Sequence, residues 1–300
     1  MTDPTPVYAS RTTAAPIVVA RRRRRRPGLM PALPIAGLIL FALAGIAAPL
    51  LTPFDPVRND LRSALLPPAW LPSGDPAHLL GTDGFGRDIV SRLLHGARIS
   101  MLVAATAIAI TVAIGTTVGI AAGYLGGWVD SLLMRIVDVA LTLPMILVAL
   151  VLSIAVGPSF TNLIFVIGLL LWPRLARLIR GETLLLKQQD YVRYAEAIGI
   201  PPWRIALRHV IPNVLPTVFV LATLEIGHVI LLEASLSFLG AGIPQPQASW
   251  GAMIENGRAL VATGWWVALF PGLAIMFVVL SSNALGDWLR DHLDPRTRLR

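Results

Sequence analysis

Long uncharged apolar runs separated by short polar stretches dominate the chain from about residue 30 onward. A bilayer core takes about 20 apolar residues in helical form, and residues 32–51 make a first such stretch without a charge. Residues 99–129 are likewise uncharged, enough for a second crossing and a glycine-rich exit at Gly123, Gly126 and Gly127. Residues 139–173 are uncharged but too long for one helix, and Gly157-Pro158 divides them into a third and a fourth. A fifth run covers about 214–232 and a sixth about 265–285, with Trp265 and Trp266 as interfacial aromatics at its start. The pattern predicts an all-α integral membrane protein with six transmembrane helices. Pro144 is expected to kink the third span, and Asp138, one turn after Arg135, to pair with it locally.

Two segments between spans carry further pattern. In the 53–98 loop, Ile89, Val90, Leu93, Leu94 and Ala97 recur at helical spacing, while Arg87, Ser91, Arg92 and His95 fall on the other face. That reads as a short amphipathic helix on the membrane surface, either a simple interfacial anchor or a ledge at a translocation entrance. The loop at about 174–213 is too apolar for a disordered linker. A helix over 188–200 is expected to end at Gly199, since Pro201-Pro202 prevents continuation, and Trp203 to Val210 allows another turn or two before Pro212. Such a knob suits docking in a partner's groove or plain connection at the membrane surface.

Composition supports the membrane reading: 55% of residues are hydrophobic and only 14% charged, against roughly 25% charged in soluble domains. The net charge of +8 would suggest nucleic acid, but its distribution follows topology instead. With the N-terminus in the cytoplasm, nineteen of the 25 basic residues fall inside, leaving Arg58, Arg62, Arg87, Arg92, Arg98 and Arg258 outside. Both ends are therefore expected to be cytoplasmic. The run Arg21 to Arg26 abuts a span without interleaved stacking aromatics, so it argues for topology and not for nucleic acid. It also resembles the start of a signal peptide, but the apolar stretch after it is longer than such peptides carry and more spans follow.

Chemistry-bearing motifs are sparse. There is no cysteine, no G-x-x-x-x-G-K-[ST], no H-E-x-x-H and no G-x-S-x-G, and the five histidines show no metal-ligand spacing. No catalytic residues and no metal or cofactor ligands are assigned. Span five holds Glu225 and His228, three residues apart and able to touch, with Glu233 at its end. Ionisable groups inside a bilayer cost at least ~2.5 kcal/mol near its centre and so face a pathway or pair up. Both readings stay open for these three. A secondary transporter would show inverted repeats, which the sequence lacks, and a cation channel would want acidic rings.

Four separated motifs carry a family resemblance. They are Gly81-Thr82-Asp83 with Gly86-Arg87-Asp88 and Ser91-Arg92; Arg208 to Asn213; Ser237-Phe238-Leu239-Gly240 with Ser249-Trp250-Gly251; and Leu285-Gly286-Asp287 through Arg296. With these, everything after about residue 30 resembles the C-type permease subunit of bacterial ABC importers for dipeptides, oligopeptides or nickel. The wider class carries E-A-A-x-x-x-G-x₉-I-x-L-P in its coupling loop. Anchored on Gly199 and Pro212, that register places Arg193-Tyr194-Ala195 at the E-A-A positions and His209 at the isoleucine, with Glu196-Ala197 three residues out of register. Tyr194 and Pro201-Pro202 depart from the pattern.

The resemblance implies a type I importer permease fold in the inner membrane and a non-catalytic half-channel. Two permeases, two cytosolic ATPases that bind ATP and Mg, and an extracytoplasmic solute-binding protein complete such a system. The organisation it implies is a disordered tail at 1–27, a first helix at 28–52, the 53–98 outer loop, a five-helix core at 99–286 and a cytoplasmic tail at 287–300. The ATPase-coupling residues would be Arg193, Tyr194, Ala195, Gly199, Trp203, Arg204, His209, Pro212 and Asn213. The outer-loop motif would be Gly81, Asp83, Gly86, Arg87, Asp88 and Arg92, and Glu225, His228 and Glu233 the candidate pathway lining.

Overall fold

A computed structural model of the protein describes residues 32–293; the arginine-rich 1–27 tail and the last residues of the 287–300 tail lie outside the described residues. Among the described residues, structure is helical: α1 (Ala32–Leu51), α2 (Ile89–Leu125), α3 (Gly127–Thr142), α4 (Met145–Val156), α5 (Phe160–Lys187), α6 (Asp190–Ala197), α7 (Pro202–Ile205), α8 (Ile211–Phe238), α9 (Trp250–Arg258) and α10 (Trp266–Leu293). Five stretches are long and apolar enough to cross a membrane, and α3 with α4 makes a sixth if that bent pair is one span.

The packing decides that it is. Along α2, Gly115, Gly119 and Gly123 meet Leu175, Ala176 with Ile179, and Thr183 of α5 in turn, while Gly168 of α5 meets Ile110. Both numberings rise together, so α2 and α5 run parallel. Two consecutive parallel spans need a return crossing between them, and only α3–α4 can supply it. The pair bends by 91°, at Leu143-Pro144, where extended backbone interrupts the helix. Pro144 therefore breaks the third span where the sequence suggested a kink.

Small residues along the α2–α5 seam are the reason the two backbones come so close. In hydrocarbon the solvent gives apolar side chains no push together, so association rests on van der Waals fit and glycine opens the groove. A Cβ at position 119 would sit 2.6 Å from the Ala176 carbonyl oxygen and 2.8 Å from Ile179. Thr111 adds a hydrogen bond across the same seam to the Gly168 carbonyl.

Four boundaries differ from the sequence reading. Span two starts at Ile89, so the expected surface helix is the first turns of α2 itself. Its polar face is not turned to solvent: Arg87, Ser91 and Arg92 are buried beneath the folded 53–88 loop. The 174–213 loop shrinks to the stretch between Lys187 and Ile211, because α5 runs through Arg174 and α8 starts just before Pro212. Proline at the second position of a helix surrenders no hydrogen bond, so Pro212 starts a helix and does not stop one. Residues 127–142 are helical despite Asp130, Arg135 and Asp138, and Asp138 pairs with Arg177 of α5 at 2.5 Å, not with Arg135. Asp130 meets Arg180 in a two-pronged pair at 2.5 and 2.6 Å. Charges that looked like loop residues thus pin α3 to α5.

Gly119→Val is expected to lower the thermal stability of the detergent-purified protein by about 1–3 kcal/mol, the usual cost of overpacking. Gly181→Ala is its control, because nothing lies within 4 Å of the added carbon; gaining a better helix former, it should leave stability unchanged or raise it by up to ~1 kcal/mol.

Candidate functional site

Between α5 and α8 the chain leaves the bundle as a compact knob. Its apolar underside is made by Val192, Ala195, Ile205, Val210 and Val214, which pack on Ile120, Leu175 and Ile179 of the bundle. The α6 helix spans Asp190–Ala197 and ends at Gly199, whose φ of +80° suits glycine. Pro201 then redirects the chain into α7, and a five-residue π turn, Ala206–Val210, leads straight into α8. Above the buried underside, the outer face carries Tyr191, Tyr194, Ile198, Trp203 and Leu207, all exposed.

Of the residues named from sequence, Arg193, Tyr194, Trp203, Arg204, Pro212 and Asn213 lie on this exposed surface, with Arg204 stacked over the Trp203 ring at 5.2 Å. Ala195 is buried and Gly199 turns the chain, so both shape the knob from within. His209 is half-buried against the Tyr191 ring, and its carbonyl accepts a hydrogen bond from the Asn213 amide.

Three residues that sequence reasoning missed fasten the knob. The Tyr124 hydroxyl at the end of α2 donates to Glu196 at 3.1 Å. Lys187 donates to the Tyr124 carbonyl at 2.8 Å and sits over its ring. These three line a cavity of about 430 Å³ with Gly199, Pro201 and Pro202. Lys187 is the single lysine among 24 arginines, a signal present in the sequence. Glu196 gave none once the motif register excluded it.

The opposite end of the bundle is closed by the 53–88 loop. Asp83 is its hub: Oδ1 accepts from the backbone amides of Phe85 and Arg87, and Oδ2 from Arg87 Nε at 2.8 Å. Arg92 Nε lies 3.6 Å from the same oxygen, and its other end donates to the Pro56 carbonyl. Asp88 caps α2 through the Ser91 amide and also meets His78. Gly81 and Gly86 take φ values of +81° and +74° against the backbone of Leu66 and Asp60, leaving no room for a side chain. Trp266 of α10 donates to the Thr82 carbonyl, and Trp250 of α9 to the Leu93 carbonyl, so the loop, α2, α9 and α10 form one cap. The six outer-loop residues are brought together, and what they build is a buried ionic core.

The three ionisable residues of span five separate. Glu233 has no exposed surface: it accepts from Ser237 at 2.9 Å and from Ser100 of α2 at 3.3 Å. It joins α8 to α2 and faces no open pathway in this chain. Glu225 lies within 3.6 Å of His228 and 4.0 Å of Arg174 on α5. His228 is 45% exposed and Arg174 62%, and Glu225 is buried between them. These three make a mixed-charge cluster between α5 and α8.

The bundle of spanning helices thus carries a projecting knob at one end, a sealed cap at the other and a charged cluster between them. Residues 115–299 match the family described as binding-protein-dependent transport system inner membrane component. The chain is 40% identical over 259 residues to the probable D,D-dipeptide transport system permease protein of Escherichia coli K12, covering 86% of this chain and 85% of that protein. It is 37% identical over 262 residues to a putative peptide transport system permease protein of Brucella abortus, covering 87% and 86%. A putative peptide permease protein of Brucella suis is 40% identical over 270 residues, covering 88% and 87%. The chain belongs to this family: it is a multi-pass inner-membrane permease component of an ABC import system.

Asp83→Ala leaves two buried guanidinium groups without their carboxylate, a loss that costs about 3–5 kcal/mol when a buried pair is broken from one side. The expected outcome is a strong drop in folded yield and thermal stability in detergent. Leu79→Ala, on the exposed surface of the same loop, should match the parent protein in both.

Proposed function

We propose that this chain forms one half of the translocation pathway of an ATP-driven importer of di- or oligopeptides. A second, homologous permease forms the other half, two cytosolic ATPase subunits dock on the knob and supply the ATP and Mg chemistry, and an extracytoplasmic binding protein delivers the substrate. The observation that carries the reading is the knob. It is a rigid two-helix projection with a buried underside and an exposed face of Tyr191, Tyr194, Trp203 and Leu207, the aromatic-rich make-up of interface centres. The peptide substrate is supported by the names of the relatives, and a nickel substrate is the alternative within the same family.

Orientation follows from charge. Arg193, Arg204 and Arg208 lie on or beside the knob, and placing it in the cytoplasm puts most basic residues, both chain ends included, on that side. The cap then faces the binding protein. Movement of the ATPases would reach the bundle through the strap Glu196–Tyr124–Lys187, which ties α6 to the ends of α2 and α5. The bundle itself would act as a two-state element biased by nucleotide bound elsewhere.

Co-expression with the neighbouring transport components tests this. Tyr194→Ala with Trp203→Ala should release the ATPase on purification in mild detergent, because two interface aromatics at ~2 kcal/mol each amount to well over a hundredfold in affinity. Peptide uptake should fall with it while the chain stays folded. Full retention of the ATPase and of uptake by the double variant would contradict the docking role.

A further inference from the structure

Arg174 is the least expected charge in the molecule. It is the fifteenth of 28 residues of α5, about 21 Å along the helix from its first residue, Phe160, and it adjoins Leu175, which meets Gly115 in the α2 seam. Facing lipid near the bilayer centre, such an arginine costs at least ~2.5 kcal/mol. It is nevertheless 62% exposed in this chain. Pro173 beside it has no N–H to give the Leu169 carbonyl, which adds a polar group one turn away.

Arg174 does have a carboxylate nearby, but the pair is loose. Its terminal nitrogen stands 4.0 Å from Glu225 Oε1. Two turns further along the same helix, Arg180 closes on Asp130 with two bonds at 2.5 and 2.6 Å. Glu225 Oε2 is shielded from solvent and makes no hydrogen bond, with only the His228 ring at 3.6 Å. Arg180 and Asp130 form a closed pair between α3 and α5, whereas Arg174 stays largely exposed beside a buried carboxylate that it does not bond. An exposed cation and a half-exposed imidazole, each within 4 Å of a carboxylate with one orphaned oxygen, leave room for a charged guest.

We propose that Arg174, Glu225 and His228 form a subsite for the charged termini of the peptide in transit. Arg174 takes the C-terminal carboxylate through its guanidinium fork, and Glu225, with His228 beside it, takes the N-terminal ammonium. Between passages the two protein charges hold each other at long range, which lowers the cost of the empty site without a bond that the substrate must break. The inference rests on the proposed importer function and adds to it a residue, Arg174, and a recognised chemistry, a zwitterionic peptide.

The test uses the complete transporter in proteoliposomes, with its binding protein saturated by a labelled dipeptide. Arg174→Gln should cut the initial uptake rate about tenfold or more, the scale of one lost charge-assisted contact, while co-purification of all subunits and ATP hydrolysis persist. Arg174→Lys should recover part of the rate. The charge exchange Arg174→Glu with Glu225→Arg should not recover it. Unchanged uptake in Arg174→Gln overturns the inference alone, and so does full recovery on charge exchange, which marks a structural pair. Loss of the second permease from Arg174→Gln overturns it as well, because the arginine then belongs to a subunit contact. A parent transporter that moves no peptide overturns the importer reading, and this inference with it.

Discussion

The parallel seam between α2 and α5 is the contact from which the other parts of the molecule are hung. Glycines at 115, 119 and 123 bring the two backbones together over three helical turns, and this fit replaces the hydrophobic drive that hydrocarbon cannot supply. Because the seam is parallel, the chain must return between its two helices, and the bent α3–α4 pair is that return. The arginines of α5 that hold α3 in place, Arg177 and Arg180, project from the helix beside the seam. At its far end Tyr124 and Lys187 clamp the knob. The knob is thus tied to α2 and α5 by these bonds and to α8 by the continuous helical run from Pro202.

Polar groups are treated differently at three depths, and the difference separates structure from function. At the capped end Asp83, Arg87, Arg92 and Asp88 are enclosed, with Asp83 held by loop amides and Arg87, Arg92 by the Pro56 carbonyl, and Asp88 by the Ser91 amide, so they fix the entry of α2. Near the same end Glu233 holds α8 to α2 through Ser100. Midway, the exposed Arg174 and His228 flank the buried, incompletely bonded Glu225. Charges enclosed by their own loop make a fixed junction, whereas exposed charges beside a buried carboxylate leave room for another partner.

Most of the spans were legible because about 20 uncharged residues in a row have few other uses. What stayed hidden was set by contacts between distant segments. Arg92 excluded the first turns of α2 from the sequence-based span, yet it is tolerated because the 53–88 loop folds over it and brings Asp83 and the Pro56 carbonyl. Asp130 and Asp138 made α3 look like a loop, and their partners lie some 40 to 50 residues later. Tyr194 was found through motif register but the exposed Tyr191 was not, and Glu196, set aside by that register, still fastens the knob to Tyr124. Among the candidate lining residues, Glu225 and His228 were read as neighbours from their spacing, but Arg174 looked like a loop charge until α5 was seen to run past it.

A natural chain without cysteine permits a direct test of where the mid-membrane patch faces. In the assembled transporter, His228→Cys can be treated with a small, charged, water-soluble thiol reagent, alongside Leu147→Cys on the exposed apolar face of α4. A half-channel whose charged patch borders the aqueous pathway predicts rapid labelling at position 228, protected by transported peptide, and none at position 147. Equal lack of reaction at both positions, with the transporter cycling through its ATP-bound and ATP-free states, would contradict the account.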